Sequence, residues 1–497
     1  MLVVAMPFLK NEAPPELVES VGRIESCADA CHTSLPLLKI PSNIAVWGLL
    51  TGSIGIVEEA AAEYSQHSKD FSAALVNISR FTPIALKWAI NYGKAASRVA
   101  HRRWTTALRE AVDHTLSVAN QYGAFCSCLP MWHKNRYAAE AVSERLIRFV
   151  MPGSARDRQV SAHLKGFRPG VGNWKVKSAT PTEQTPRAQR LFASVLERSR
   201  KTGARRFEYD DPWTLWQELL PCFHARVTGI ARRPDSLSLG PYTLGQFKRF
   251  YAALLTVCAA HEFLCFTWER RFGSYPLDSA VMVRSTSGWI DSLSTLSDIP
   301  ADKCQAAMSD LTFNFARSLD LHIHPFVPLD LSTRRIAIAP QFPLHSLPDE
   351  NILRVCSQIR PSPFNVTSSE KEPEMLSALS KQNSPFHLEG PVSLPNPVPD
   401  IDLIVTDEES STLVFAEMKW VRKTSRPTEF QDRDADVRKG VSQLTQIREF
   451  VACNREHLQS LGKLRRRVNE YRNVYYLFAC RSGPLAMDRA NRGPGNR

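Results

Sequence analysis

Several absences narrow the reading of this 497-residue chain. Its eleven cysteines are odd in number and scattered, which excludes the dense, even pairing of a secreted disulfide framework and reads as reduced thiols in a cytoplasmic compartment. The opening MLVVAMPFLKNEAPP has no basic stretch before its apolar residues and no small-residue cleavage site, so no secretory signal is expected there. Long apolar runs are scarce. Residues 44–57 are 14 in number and hold three glycines, too few and too flexible for a membrane span. Residues 250–268 reach 19 but carry His261 and Glu262 near their middle, so they are expected to form a core helix, and no membrane partner is expected. Gly170-x-Gly172 opens no helix and is no dinucleotide fingerprint. No internal repeat and no nucleotide-hydrolysing motor motif is visible, so any such motor would belong to a separate partner subunit. Acidic charge is also short: 50 Asp and Glu against 62 Lys and Arg, a net charge of +12, which argues against a basic partner and permits nucleic acid or an anionic membrane surface.

The length implies two to four domains, and 43% hydrophobic residues are enough for large cores. The 33 prolines outnumber the 22 glycines and point to many irregular connections. Charge is unevenly spread. Residues 1–100 carry 8 basic and 9 acidic side chains, whereas residues 101–250 carry 25 basic and 12 acidic. That stretch includes Arg102-Arg103-Trp104, Arg198-Ser199-Arg200-Lys201, Arg205-Arg206 and Arg232-Arg233, interleaved with Phe167, Trp174, Phe207, Trp213 and Trp216. Such a surface fits a groove that tracks a nucleic-acid backbone. A solvated helical face whose aromatics belong to the core fits equally well.

Apolar periodicity predicts helices through residues 71–116, 137–150, 187–201, 212–220, 244–272 and 301–319, with a short strand at 334–339. Residues 151–186 are rich in Gly, Pro, Ser, Thr and Lys and read as a linker or exposed loop. From 351 onward the pattern changes. Short helices at 351–358 and 372–381 precede strand-like runs at 400–406, 412–420 and 474–480, with a long helix near 436–453. The expected organisation is a helical domain (1–150), the linker (151–186), a helical basic middle (187–350) and a C-terminal α/β domain (351–497) with a sheet covered on both faces.

The chemistry-bearing stretch is Asp400-Ile401-Asp402-Leu403-Ile404-Val405, a polar turn at 406–411, and Leu413-Val414-Phe415-Ala416-Glu417-Met418-Lys419-Trp420. A simple hairpin centred between Glu409 and Ser410 sets Asp402 opposite Glu417 and Asp400 opposite Lys419. Directly opposed side chains have Cβ atoms about 4.5–5.5 Å apart. Two carboxylates meeting among apolar residues repel, and a divalent cation between them removes the repulsion. Hard oxygen ligands with water completing the shell suit Mg²⁺ or Mn²⁺. Lys419, two residues along the same face, can orient or help deprotonate an attacking water. Metal and lysine together suit phosphodiester hydrolysis.

This constellation resembles the PD-(D/E)xK nuclease superfamily. Asp400 or Asp402 would supply the first acid and Glu417-Met418-Lys419 the ExK element, and the form DIDLIV…TLVFAEMKW favours Asp402. The resemblance covers residues 363–485, about a quarter of the chain. It implies a C-terminal restriction-endonuclease-like α/β domain whose mixed sheet is flanked by helices, and with the helical periodicity upstream the expected whole is a multidomain protein, mainly α in its N-terminal and middle regions. It further implies that Asp402, Glu417 and the Met418 carbonyl hold Mg²⁺ or Mn²⁺, that Lys419 positions the water, and that Gln443 on the following helix joins the site. Glu372 would be the acid on the preceding helix, although Ser369-Glu370-Lys371-Glu372 reads equally well as a capping box. The implied function is metal-dependent hydrolysis of DNA, in restriction or genome defence. The alternative is a catalytically inactive nucleic-acid-binding or scaffold protein on the same fold.

Three other groups of residues were weighed as ligands. Cys27, Cys31 and His32, and Cys126, Cys128 and His133, have thiol and imidazole groups but no finger-like pairing for zinc. His322-Ile323-His324-Pro325 reads as a structural turn. Arg465-Arg466-Arg467 reads as a solvated helix face.

Overall fold

The computed structural model describes residues 7–63, 69–97, 102–143, 146–150, 186–203, 206–230, 235–318, 320–329, 331, 334–346, 351–352, 355, 386–419 and 427–480. The linker expected at 151–186 lies outside them except for Pro186, as do Glu372 and the helix expected around it. The described residues fall into two compact units, one up to residue 355 and one from residue 386.

The first unit is mainly helical. Helices α1 (Pro15–Asp29), α2 (Ser42–Glu63), α3 (Lys69–Asn91) and α4 (Thr106–His133) come first. Thr105 caps α4, its hydroxyl accepting the Leu108 N–H at 3.2 Å. One face of α4, with Leu108, Val112, Leu116 and Ala119, meets Trp47, Leu50 and Ile54 of α2 and Leu86 and Ala89 of α3. Phe313, Val327, Ala337 and Phe342 enter the same core from later in the chain.

Residues 137–150, expected as a helix, are instead the hairpin β1 (Ala138–Ser143) and β2 (Leu146–Val150). Its apolar side packs with Leu17 and Val21 of α1 and with Leu129 and Trp132 of α4. Those contacts override the helix preference of its Ala and Glu residues.

Next come α5 (Pro186–Arg198), the short ribbon β3 (Arg200–Gly203) and β4 (Arg206–Glu208), α6 (Trp213–Ile230) and α7 (Leu244–Phe272). A reciprocal capping box starts α7: Thr243 Oγ1 accepts the Gln246 N–H, and Gln246 Oε1 accepts the Thr243 N–H. Phe247, Phe250, Tyr251, Leu254, Leu255, Leu264 and Trp268 are buried around its circumference, as a central core helix requires. It is the one described helix long and apolar enough to cross a membrane, and most of it is buried inside this unit. Strands β5 (Met282–Ser285), β6 (Val327–Pro328) and β7 (Arg335–Ile338) form an antiparallel sheet in the order β5-β7-β6, with α8 (Thr286–Ser297) and α9 (Ala301–Asp310) in sequence between β5 and β6.

The second unit holds β8 (His387–Glu389), β9 (Leu403–Asp407), β10 (Thr412–Lys419), α10 (Pro427–Cys453) and β11 (Asn473–Cys480). The strand order is β11-β10-β9-β8. The β8–β9 and β9–β10 pairs are antiparallel and β10–β11 is parallel, so the sheet is mixed. Parallel pairing needs a crossover, and α10 lies in the one that joins β10 to β11. Ile404, Leu413 and Phe415 on one sheet face pack with Ile447 and Val451 of α10. Leu403, Ala416 and Met418 are buried on the other face. Burial on both faces explains the nearly continuous apolar composition of these strands.

Candidate active site

The β9–β10 hairpin fixes the site. Thr412 pairs with Asp407, Leu413 with Thr406, Phe415 with Ile404 and Ala416 with Leu403. Continuing this register by one residue sets Asp402 opposite Glu417, the arrangement expected from the centre of the turn. The turn is held by Asp407, whose Oδ1 accepts the Glu409 N–H at 3.1 Å and whose Oδ2 accepts the Ser410 hydroxyl. These bonds, that of Ser410 foremost, keep the Asp407 carboxyl below its usual pKa. Ser411, at φ 51°, completes the reversal.

Asp402 is half-buried at the entrance to β9. Its Oδ2 accepts the Met418 backbone N–H at 2.7 Å, which ties the carboxylate to β10 beside Glu417. Two features fix the approach to Asp402. Val392 and Ile401 exchange both backbone hydrogen bonds, at 2.8 and 2.9 Å. Gly390, just past β8, comes so close that a Cβ there would stand 2.4 Å from the Asp402 carbonyl oxygen. Asp400 is exposed, and its Oδ1 accepts the Leu394 N–H at 3.2 Å. It therefore serves the loop, while Asp402 faces β10.

Glu417 is 1% exposed. Its neighbour across the parallel ladder is Phe478. A Cβ on Gly440 of α10 would come within 2.2 Å of the Phe478 ring, so α10 crosses the sheet on the Glu417 face at close range. Gln443 lies one turn along α10 from Gly440, and Ile447 of the sheet core lies one turn further on. The Gln443 Oε1 is buried and has no hydrogen-bond partner among the described residues. The structure thus ties Asp402 to the Met418 backbone beside Glu417, and Gln443 lies on the helix that crosses this face of the sheet. Lys419 ends β10 in register with Cys480, and its side chain lies outside the described residues. Glu372 also lies outside them.

The donor set suits a hard divalent cation: two carboxylates at opposed register positions and a backbone carbonyl between apolar layers. Among the described residues no group of three or more His, Cys, Asp or Glu side chains gathers as a metal site, so water would supply the remaining ligands. Elsewhere in this unit acidic and basic residues pair with each other. Lys463 holds Glu389, and Arg466 holds Glu408 at 2.8 Å. Arg467 reaches Glu456 at 3.1 Å. Residues 465–467 are therefore not the solvated helix face expected. They precede the short 3₁₀ turn Val468–Glu470, with two of the three arginines in ion pairs.

His32 stacks on Tyr92 with centroids 4.1 Å apart, and His133 Nδ1 meets Lys10 Nζ at 2.8 Å, so neither imidazole joins its nearby thiols around a metal. His322 is 2% exposed in a turn, with Nδ1 3.4 Å from Asp320. In the basic stretch, Arg109, Arg148, Arg187 and Arg206 make ion pairs. Trp104, Phe207 and Trp216 are core residues rather than stacking platforms. Phe167 and Trp174 lie outside the described residues. The close approach of Gly390 had no counterpart in the sequence reading, because nothing local marks a glycine that abuts a carbonyl twelve residues ahead.

Comparison of the chain with family models, with curated proteins and with solved structures found no match.

Proposed function

We propose that the second unit is a divalent-metal-dependent nuclease with a restriction-endonuclease-like fold, hydrolysing phosphodiester bonds in DNA. The observation that carries this reading is the bond from the Met418 N–H to Asp402, beside the buried Glu417, at the end of a hairpin whose register, continued by one residue past Ala416–Leu403, sets the two acids opposite each other. The mixed sheet and the long helix over the acid-bearing face agree with it. Asp402, Glu417 and the Met418 carbonyl would hold Mg²⁺ or Mn²⁺. When bound, such an ion lowers the pKa of a coordinated water and polarises a phosphoryl oxygen. Strand periodicity puts Lys419 in the same row as Glu417, where its ammonium orients the attacking water and offsets charge at the phosphate. Gln443 donates its amide N–H to substrate or water from the helix side. The apolar layers around the acids exclude bulk water, which strengthens each of these interactions.

A second reading, a catalytically silent nucleic-acid-binding scaffold, is favoured by one observation: only two acids converge here among the described residues. A plasmid-nicking assay with and without Mg²⁺ separates the two. The nuclease reading expects Mg²⁺-dependent nicking that Glu417→Gln and Lys419→Ala each reduce by at least about a hundredfold. DNA binding without Mg²⁺-dependent nicking by the unmodified protein would establish the scaffold.

A further inference from the structure

The first unit has a polar cavity of about 380 Å³ that the site above does not use. Arg102, Arg198, Arg206 and Arg284 line it, and Tyr209 and His261 form part of its wall. These residues come from the segment before α4, the end of α5, β4 and its continuation, α7 and β5.

Most of the charges in this cavity are already matched. Arg284 makes a two-pronged ion pair with Asp211, at 2.7 and 2.9 Å, and lies over Trp216 and Trp289. Arg206 holds Glu208 at 2.7 Å. Asp278 accepts the Trp104 N–H, and Asp210 is exposed at the rim. Of the guanidiniums, Arg102 and Arg198 remain. Arg102 is half-buried and makes no hydrogen bond or ion pair among the described residues. Arg198 bonds the Ser194 carbonyl of its own helix at 3.2 Å and makes no ion pair among the described residues. Burial lowers the Arg102 pKa, the charges of Arg206 and Arg335 lower it further, and the Glu208 carboxylate offsets part of the shift. A partly desolvated guanidinium among other guanidiniums is an arrangement that a bound anion relieves.

The wall of the cavity is neutral. A carbonyl can only accept, so the His261 Nε2–H donates to the Ser279 carbonyl at 2.8 Å, and Nδ1 then accepts the Tyr209 hydroxyl at 2.6 Å. Burial lowers the His261 pKa to about 4, so the ring carries no charge near neutrality. The neutral ring adds no charge to a lining in which four guanidiniums face the carboxylates of Glu208, Asp210 and Asp278.

We propose that this cavity binds a phosphate group of a phosphorylated ligand, with Arg102 and Arg198 as its principal cations and Arg206 as a third. The group belongs to a free phosphate or to the 5′ end of a nucleic-acid strand. Both share a compact, multiply charged oxyanion that forked guanidinium donors match. The proposal concerns the first unit alone and does not rest on the nuclease reading.

The test uses the full chain in EDTA, so that nuclease activity plays no part. Inorganic phosphate is compared with chloride at equal ionic strength by thermal unfolding. A labelled 12-nucleotide strand is then titrated with and without a 5′ phosphate. Phosphate is expected to raise the Tm of the unmodified protein and to have little effect on Arg102→Ala or Arg198→Ala. Arg198 is exposed, so its variant tests the site even if Arg102→Ala fails to fold. Binding of the 5′-phosphorylated strand about tenfold or more tighter than the 5′-hydroxyl strand, lost in both variants, identifies a strand end as the source. Phosphate stabilisation with equal binding of the two strands identifies free phosphate. An equal response of the unmodified protein and Arg198→Ala to both probes, or no response of either, overturns the proposal.

Discussion

Gly390→Ala isolates the support of the site from its chemistry, because Gly390 contributes no functional group. The added Cβ would stand 2.4 Å from the Asp402 carbonyl oxygen and 3.1 Å from the Leu403 Cα. Carbon contacts are comfortable at about 3.5 Å or more, so one of the two backbone segments must retreat by about 1 Å. Both segments are held by hydrogen bonds, Gly390 next to the β8–β9 ladder and Asp402 between that ladder and the Met418 N–H. The expected loss is therefore about 1–3 kcal/mol of stability, the usual range for overpacking. A displacement of that size at a catalytic carboxylate lowers the rate about a hundredfold. Thermal unfolding and Mg²⁺-dependent nicking, measured on the same preparation, read the two effects. Gly22→Ala is the control: its Cβ would meet nothing within 4 Å in α1, and the helix should be unaffected or gain slightly. A Gly390→Ala protein with unchanged Tm and unchanged nicking would refute the placement of Asp402.

Two further predictions concern stability. Ile447 is fully buried between α10 and the sheet, so Ile447→Ala should cost about 2–5 kcal/mol, read by urea unfolding monitored on the full chain. A loss below about 1 kcal/mol would mean that α10 is not packed on the acid-bearing face. In the first unit, burial raises the Glu262 pKa to about 8, with Glu58 adding to the effect, and raises that of Glu58 to about 7, with Glu269 adding. Cys265 and Tyr275 share this environment. The unfolded chain releases these protons near pH 4.5, whereas the folded chain holds them until pH 7–8. Stability from the pair is therefore greatest at low pH and falls, by an amount of the order of a few kcal/mol, as pH rises through 4.5 to 8. Glu262→Gln should flatten the fall in Tm between pH 5 and pH 8. An unchanged slope would show that the pair is not protonated in the folded protein.

The hairpin was legible in the sequence because its signals are local. A six-residue polar turn between two apolar runs fixes the pairing, and strand periodicity then fixes the faces. The pairing of Phe415 with Ile404 and of Ala416 with Leu403 followed from that alone. The parallel addition of β11 depends on a crossover of more than fifty residues, which alternation within the strand does not encode. Residues 137–150 were misread because Ala, Glu and Arg favour a helix locally, while Leu17, Val21 and Trp132 pull the segment into a ribbon. The aromatics of the basic stretch were ambiguous for a similar reason. Only the packing of Trp104 against Trp47 and of Phe207 against Trp268 shows these two to be core, while Trp213 is exposed. The arginine cavity joins residues as far apart as Arg102 and Arg284, and no motif spans that distance.

Diffraction from crystals of the full chain soaked in Mn²⁺, recorded at a wavelength where manganese scatters anomalously, tests the central claim most directly. The account predicts one anomalous peak in the second unit, within about 2.0–2.4 Å of a carboxylate oxygen from each of Asp402 and Glu417. A fully soaked crystal with no peak there, or with the two carboxylates turned away from each other, would contradict it.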